Sequence, residues 1–162
     1  MDTAATPDGR DDASGRLIAL GSDLEGVFDR LARRQGNITL VQYRVLATLA
    51  AHAPDPLEPW QLARLLTMGS NHVTMVLDQL AAREMISRAP HPHDGRRRLI
   101  SATPLGLETA RLLGAHVAAL EERIMSSVLS DAERAQLHAI AAKLQAAVAA
   151  MVVPTTRQRP GS

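Results

Sequence analysis

The chain has 162 residues, 46% of them apolar and 2% aromatic, with a formal net charge of +1. That suffices for one domain with a buried core built mainly from Ala and Leu, which favour helix over strand. The lack of cysteine excludes disulfides and thiolate chemistry, and no run of about 18 apolar residues is present to span a membrane.

Residues 1–14 (MDTAATPDGRDDAS) and 153–162 have no apolar periodicity and read as disordered tails. The N-terminus is polar and acidic, unlike a secretion signal, so a cytoplasmic location is expected. A first helix is predicted from about Gly15 to Gln35, because Leu17, Leu20, Leu24, Val27, Phe28 and Leu31 recur at helical spacing. Gly36-Asn37 stops it. Thr39-x-x-Gln42 has the capping-box pattern and opens a second helix, with Tyr43, Leu46, Ala47 and Ala50 as its inner face. Pro59 opens a third helix at its first position. Leu57 can staple onto Leu62, and Leu62, Leu65 and Leu66 supply the apolar face.

A short turn, Thr67-Met68-Gly69, leads to a fourth helix from about Ser70 to Arg83. Val73, Val76, Leu77 and Leu80 share one side of it, which leaves Asn71, Thr74, Met75 and Asp78 on the other. Met85–Arg88 and Leu99–Ala102 read as short strands. Between them, Pro90, Pro92 and Gly95 exclude a helix. Thr103-Pro104 caps and opens a fifth helix to about Ser127. Ser130-x-x-Glu133 opens the last, which runs to about Val152.

The charge is unevenly placed. Residues 1–15 hold four Asp and one Arg, a local −3, whereas Arg88–Arg98 hold four Arg and one Asp, a local +3. A helix, a short turn, a second helix and then a basic hairpin form the pattern of a DNA reader. The second helix enters the major groove, and a protruding basic loop touches phosphate or minor groove. Asn71 and Thr74 are short polar residues at the end of the helix that reaches base edges. Met75 offers only apolar contact, for example to a thymine methyl. Asp78 can accept from cytosine or hold a neighbouring basic side chain. Asp94 stands two residues before Arg96, close enough to orient its guanidinium. Because residues alternate along a strand, only one of Arg97 and Arg98 shares the direction of Arg96.

The segment LARLLTMGSNHVTMVLDQLAAREMISRAPHPHDGRRRLISATPLG (62–106) resembles the winged-helix core of the MarR family of bacterial regulators. Its wing signature is carried by Asp94, Arg96, Leu99-Ile100, Thr103-Pro104 and Gly106. The resemblance covers roughly residues 15–152. It implies a mainly α fold with a small β-wing: a winged helix-turn-helix over about 39–103, flanked by dimerisation helices over about 15–35 and 104–152. An apolar stripe of Leu113, Val117, Leu120, Ile124 and Val128 on the fifth helix fits a homodimer. So does the set Leu137, Ile140, Ala141, Leu144, Val148 and Met151 on the last. Residues and resemblance together nominate Ser70, Asn71, His72, Thr74, Met75, Asp94, Arg96, Arg97 and Arg98 as contacts to double-stranded DNA. Four positions depart from the family's habit. Met75 and Gly95 stand where Arg is frequent, Glu84 where Gly is frequent, and Ala102 where a larger apolar residue is usual.

The family resemblance also implies a small aromatic effector held between the dimerisation and DNA-binding parts. Phe28, Tyr43 and Trp60 are the candidates for that crevice, or they simply fill the core. His91 and His93 with Asp94 are too few for a metal site, and no metal or other cofactor is expected. No nucleophile elbow, phosphate loop or zinc-protease motif is present, so an enzyme is not expected. The expected function is sequence-specific transcriptional regulation, as a repressor released by an effector. The alternative is a winged-helix protein-interaction module without specific DNA binding.

Overall fold

A computed structural model describes residues 12–152. The expected tails, over 1–11 and 153–162, lie outside the described residues. Residues 12–14 are not tail: the Asp12 carboxylate accepts the N–H of Gly15 and starts α1 (Ala13–Gly36). The remaining elements are α2 (Leu40–His52), α3 (Pro59–Leu65), α4 (Ser70–Ala82), β1 (Ile86–His91), β2 (Asp94–Ala102), α5 (Pro104–Val128) and α6 (Asp131–Val152). The mainly helical fold with a two-stranded wing is thus the one expected.

The starts of α2, α5 and α6 satisfy orphan N–H groups by the predicted devices. Thr39 Oγ1 accepts from Gln42 N–H at 3.1 Å, while Gln42 Oε1 accepts from Thr39 N–H at 2.9 Å. Thr103 Oγ1 accepts from Gly106 N–H at 3.1 Å. Ser130 and Glu133 close a box at the start of α6, with bonds of 2.8 and 3.4 Å. A further acceptor comes from a distant element: Asp29 of α1 takes the first N–H of α2, from Leu40, at 2.9 Å.

The wing is longer than expected. Both strands extend into the stretch read as a loop, pairing antiparallel from Ile86↔Ala102 to Pro90↔Arg98, with a bulge before His91↔Asp94. The prolines exclude helix there but not a sheet edge. Leu57 adds a short bridge on the other side of β2, with Leu57 N–H to Ile100 O at 2.9 Å and Ile100 N–H to Leu57 O at 2.7 Å. Since Ile100 spends both backbone groups on Leu57, its pair with Arg88 is not hydrogen-bonded. By alternation the bonded pairs are Ser87↔Ser101 and Ala89↔Leu99.

Two compact units are present, up to Ala118 and from Ala119 onward. The first has its core between α2, α3, α4 and the wing, around Val45, Leu46, Leu62, Val73, Leu77, Leu80 and Ile100. Leu65, expected inside, is exposed, because seven-residue α3 buries only Leu62 and, just past its end, Leu66, one turn apart. Leu113, expected on the dimer stripe, is buried in this core and packs near Gly36 at the end of α1. In the second unit Arg134 bonds Glu122 of α5 at 2.7 Å and also Asp131. Leu137, Ile140, Leu144, Val148 and Met151 of α6 are all exposed.

Candidate nucleic-acid interface

Helix α4 is held by its apolar side and by two side-chain hydrogen bonds at its C-terminal end. Val73, Val76, Leu77 and Leu80 are buried as expected. Gln42, itself buried, donates from Nε2 to Gln79 Oε1 at 2.9 Å, so the residue that caps α2 also pins α4. One turn further along, Arg83 donates to the carbonyl of Asn37. Ser70, Asn71, His72, Thr74, Met75 and Asp78 are all exposed, and Met75 presents half its surface. Thr74 Oγ1 donates to Ser70 O at 3.0 Å, which leaves the hydroxyl an acceptor toward solvent. Gly69 caps the helix without a side chain, so first-turn N–H groups remain available to an anion. The helix carries no Lys or Arg. Asp78 takes the second of its two expected roles: it accepts from Arg88 Nη2 of β1 at 2.6 Å.

The wing tip is organised differently from expectation. Asp94 Oδ1 accepts the backbone N–H of Arg96 at 2.9 Å, so the carboxylate shapes the turn rather than orienting the Arg96 guanidinium. Among the described residues the Arg96 side chain has no hydrogen-bond or ion-pair partner, and it is exposed. Arg98 folds back over the turn, donating to Gly95 O at 2.6 Å and Arg97 O at 3.1 Å. Its charge is not neutralised by these carbonyls. Arg97, nominated as a DNA contact, points away from both, as alternation requires. Its guanidinium forks onto Glu58, with Nε to Oε2 at 2.6 Å and Nη2 to Oε1. His91 and His93 meet edge to face at 5.9 Å, and His91 Nδ1 accepts the backbone N–H of His93.

Glu58 is the residue that sequence reasoning missed. It is 8% exposed at the N-cap of α3. The Arg97 guanidinium, and then the Trp60 indole, hold its carboxyl below the usual carboxylate range, against the opposing effect of burial. A lone acid before a proline carries no sign of a partner 39 positions away.

The three effector candidates are not equivalent. Phe28 and Tyr43 are half-buried in α1 and α2. The Tyr43 hydroxyl lies 3.5 Å from where a Cβ on Gly114 of α5 would stand, and burial raises its pKa. Trp60 is 54% exposed, with its indole directed to Glu58 at the root of the wing.

The sequence profile of the MarR family matches residues 38–97. A curated relative, an uncharacterised HTH-type transcriptional regulator of Mycobacterium leprae, is 34% identical over 98 residues, covering 57% of this chain and 67% of the relative. Among solved structures, MepR of Staphylococcus aureus in complex with DNA has a TM-score of 0.76 at 24% identity, covering 84% of this chain and 98% of MepR. PcaV of Streptomyces coelicolor with its natural ligand has a TM-score of 0.72 at 23% identity, with 89% and 99% covered. A probable transcriptional regulator of Pseudomonas aeruginosa has a TM-score of 0.70 at 26% identity, with 83% and 98% covered. Among the described residues no helix is long and apolar enough to cross a membrane. Profile, relative and fold point the same way, and the chain belongs to the MarR family of winged-helix transcriptional regulators.

Proposed function

We propose that this regulator is a repressor that binds double-stranded DNA as a homodimer in the cytoplasm and is released by a small aromatic effector. One observation carries the DNA reading: the exposed face of α4, with Asn71, Thr74 and Met75, stands beside a wing whose Arg96 is unpartnered among the described residues. Asn71 and Thr74 read base edges, Met75 packs on a thymine methyl, and Ser70 and His72 lie where α4 meets the backbone. Arg96 and Arg98 reach phosphate or minor groove, while Asp94 holds the turn that presents them. The DNA complex of MepR supports this reading. The ligand complex of PcaV supports an effector, with half-buried Phe28 and Tyr43 as its first candidates. Trp60 joins them only if it leaves Glu58.

The homodimer is supported by the exposed apolar stripe of α6, at positions 137, 140, 144, 148 and 151, and by Leu17, Ile18 and Leu20 of α1. Such a surface on one chain calls for a partner. Light scattering coupled to size exclusion is expected to give twice the chain mass, and a monomer at micromolar concentration would refute it. Mobility shifts on DNA from the protein's own promoter region test the rest. Arg96→Ala is expected to weaken binding, and the salt slope to fall by about one unit per wing if the contact is to phosphate. A shift identical to wild type at two salts, with an unchanged melt, would favour the protein-interaction module. The cation-free recognition helix is the observation on that side.

A further inference from the structure

We propose that Arg97 positions the wing for DNA without touching it: its fork onto Glu58 fixes the direction of β2, and with it the reach of Arg96. The inference rests on the DNA-binding reading above.

Among the described residues, two hydrogen-bonded attachments tie β2 to the start of α3. The first is the backbone bridge between Ile100 and Leu57, and the second, three residues nearer the tip, is Arg97 on Glu58. Leu57 and Glu58 are consecutive, so both attachments end at the start of α3. A strand held at one point pivots, whereas a strand held at two has a direction. Beyond Arg97 only the turn remains, shaped by Asp94 and presenting Arg96.

The pair has the character of a structural clasp rather than a stored phosphate ligand. Both carboxylate oxygens are engaged in a planar two-point fork, the geometry in which Arg is most directional. Glu58 is almost wholly withdrawn from water. Were Arg97 to leave for a phosphate, that withdrawn carboxylate would keep the Trp60 indole but lose its countercharge, the costly half of breaking such a pair. The exposed Arg88–Asp78 pair on β1 has no such constraint. The basic segment is therefore divided by direction: Arg96 and Arg98 outward, Arg97 inward.

Arg97→Gln, Arg97→Lys, Glu58→Gln and the Arg97→Gln/Glu58→Gln double variant separate a clasp from a contact. The full chain is used, with a duplex selected from a random pool by the wild-type protein. Thermal melts establish that each variant is folded. Hydrogen exchange at the amides of Ala89 and Leu99 reads the wing without DNA. The clasp predicts that either Gln substitution weakens binding about tenfold and speeds exchange at both amides. The double variant should be no worse than the singles, and Lys, which cannot fork, should fall short of wild type in both readouts. Tighter binding by Glu58→Gln, as expected if the acid merely competed with phosphate for Arg97, would overturn the proposal. So would unchanged exchange in all four variants. If the wild-type protein selects no duplex, the DNA reading itself fails and the positioning role with it, while the exchange data still report whether the clasp exists.

Discussion

Among the described residues, three lie in the left-handed region without being glycine: Asn37 (φ 51°), Thr67 (φ 54°) and Glu84 (φ 57°). Each follows a helix and closes it. Ile38 N–H reaches Ala32 O, Met68 N–H reaches Ala63 O, and Met85 N–H reaches Leu80 O. These are the long bonds of a helix stop that usually employs glycine. Asn tolerates the conformation, but Thr and Glu do not do so readily. Glu84→Gly is therefore expected to stabilise the protein by about 1 kcal/mol, read as a higher melting temperature. An unchanged or lower melt would mean that Glu84 is relaxed. Gly106 shows the opposite case. A Cβ there would stand 2.0 Å from Met85 O, which also accepts Thr103 N–H. Gly106→Ala should cost about 3 kcal/mol, with the first unit's melt falling accordingly. A melt equal to wild type would place α5 differently.

At the level of elements, capping and apolar spacing made the helices legible in the sequence. Pro59, Thr103-Pro104 and the two Ser/Thr boxes act locally, within three or four residues, so a reader of the chain sees both partners. Element-to-element bonds are another matter. Gln42–Gln79, Arg83–Asn37, Arg97–Glu58 and Asp29–Leu40 join residues far apart in the chain, and nothing in either segment announces the other. The spacing places Asp94 and Arg96 to Arg98 on the hairpin but does not give the partner of each side chain. Asp94 went to a backbone N–H and Arg97 to an acid no one would pair with it from the sequence. Asp29 allows a pH test. The Leu40 N–H, then the Arg33 guanidinium, lower its pKa in the folded chain. A depressed folded pKa contributes stability that is present above the ordinary carboxylate value of about 4 and lost as pH falls through the folded value. Asp29→Asn should thus melt below wild type at neutral pH, with the gap narrowing below about pH 4. A gap independent of pH would show that charge plays no part.

For the whole molecule, the family signature was the most informative stretch, because the motif residues at 94–106 serve one mechanical junction. Asp94 turns the hairpin, Thr103 caps α5 and also donates to Glu84 O at 2.7 Å, and Gly106 allows α5 to approach Met85. What the sequence left open was how the apolar positions of the long helices would be shared. Leu113 went to the chain's own core, while the α6 stripe stayed exposed. Helical periodicity reports that a face is apolar, not which neighbour covers it. On the homodimer reading, Leu144→Glu, in the middle of the α6 stripe, should shift the assembly toward monomer while leaving the first unit folded. Retention of the dimer would move the interface elsewhere.

Pro90 gives the wing a property unrelated to reading DNA. Its pair with Arg98 falls, like Arg88↔Ile100, at a position where backbone groups point away from the partner strand. The nitrogen that lacks a hydrogen therefore faces the open side of β1. Open edges invite strands from other molecules, and a proline in the row denies them a donor. Regulators on neighbouring sites would hold such hairpins close together at high local concentration. Pro90→Val should leave the melt and the DNA contacts intact yet promote strand-to-strand aggregation, seen as rising light scatter and β signal on concentration. Equal solubility of the two proteins would assign the protection to the twist and shortness of the hairpin instead.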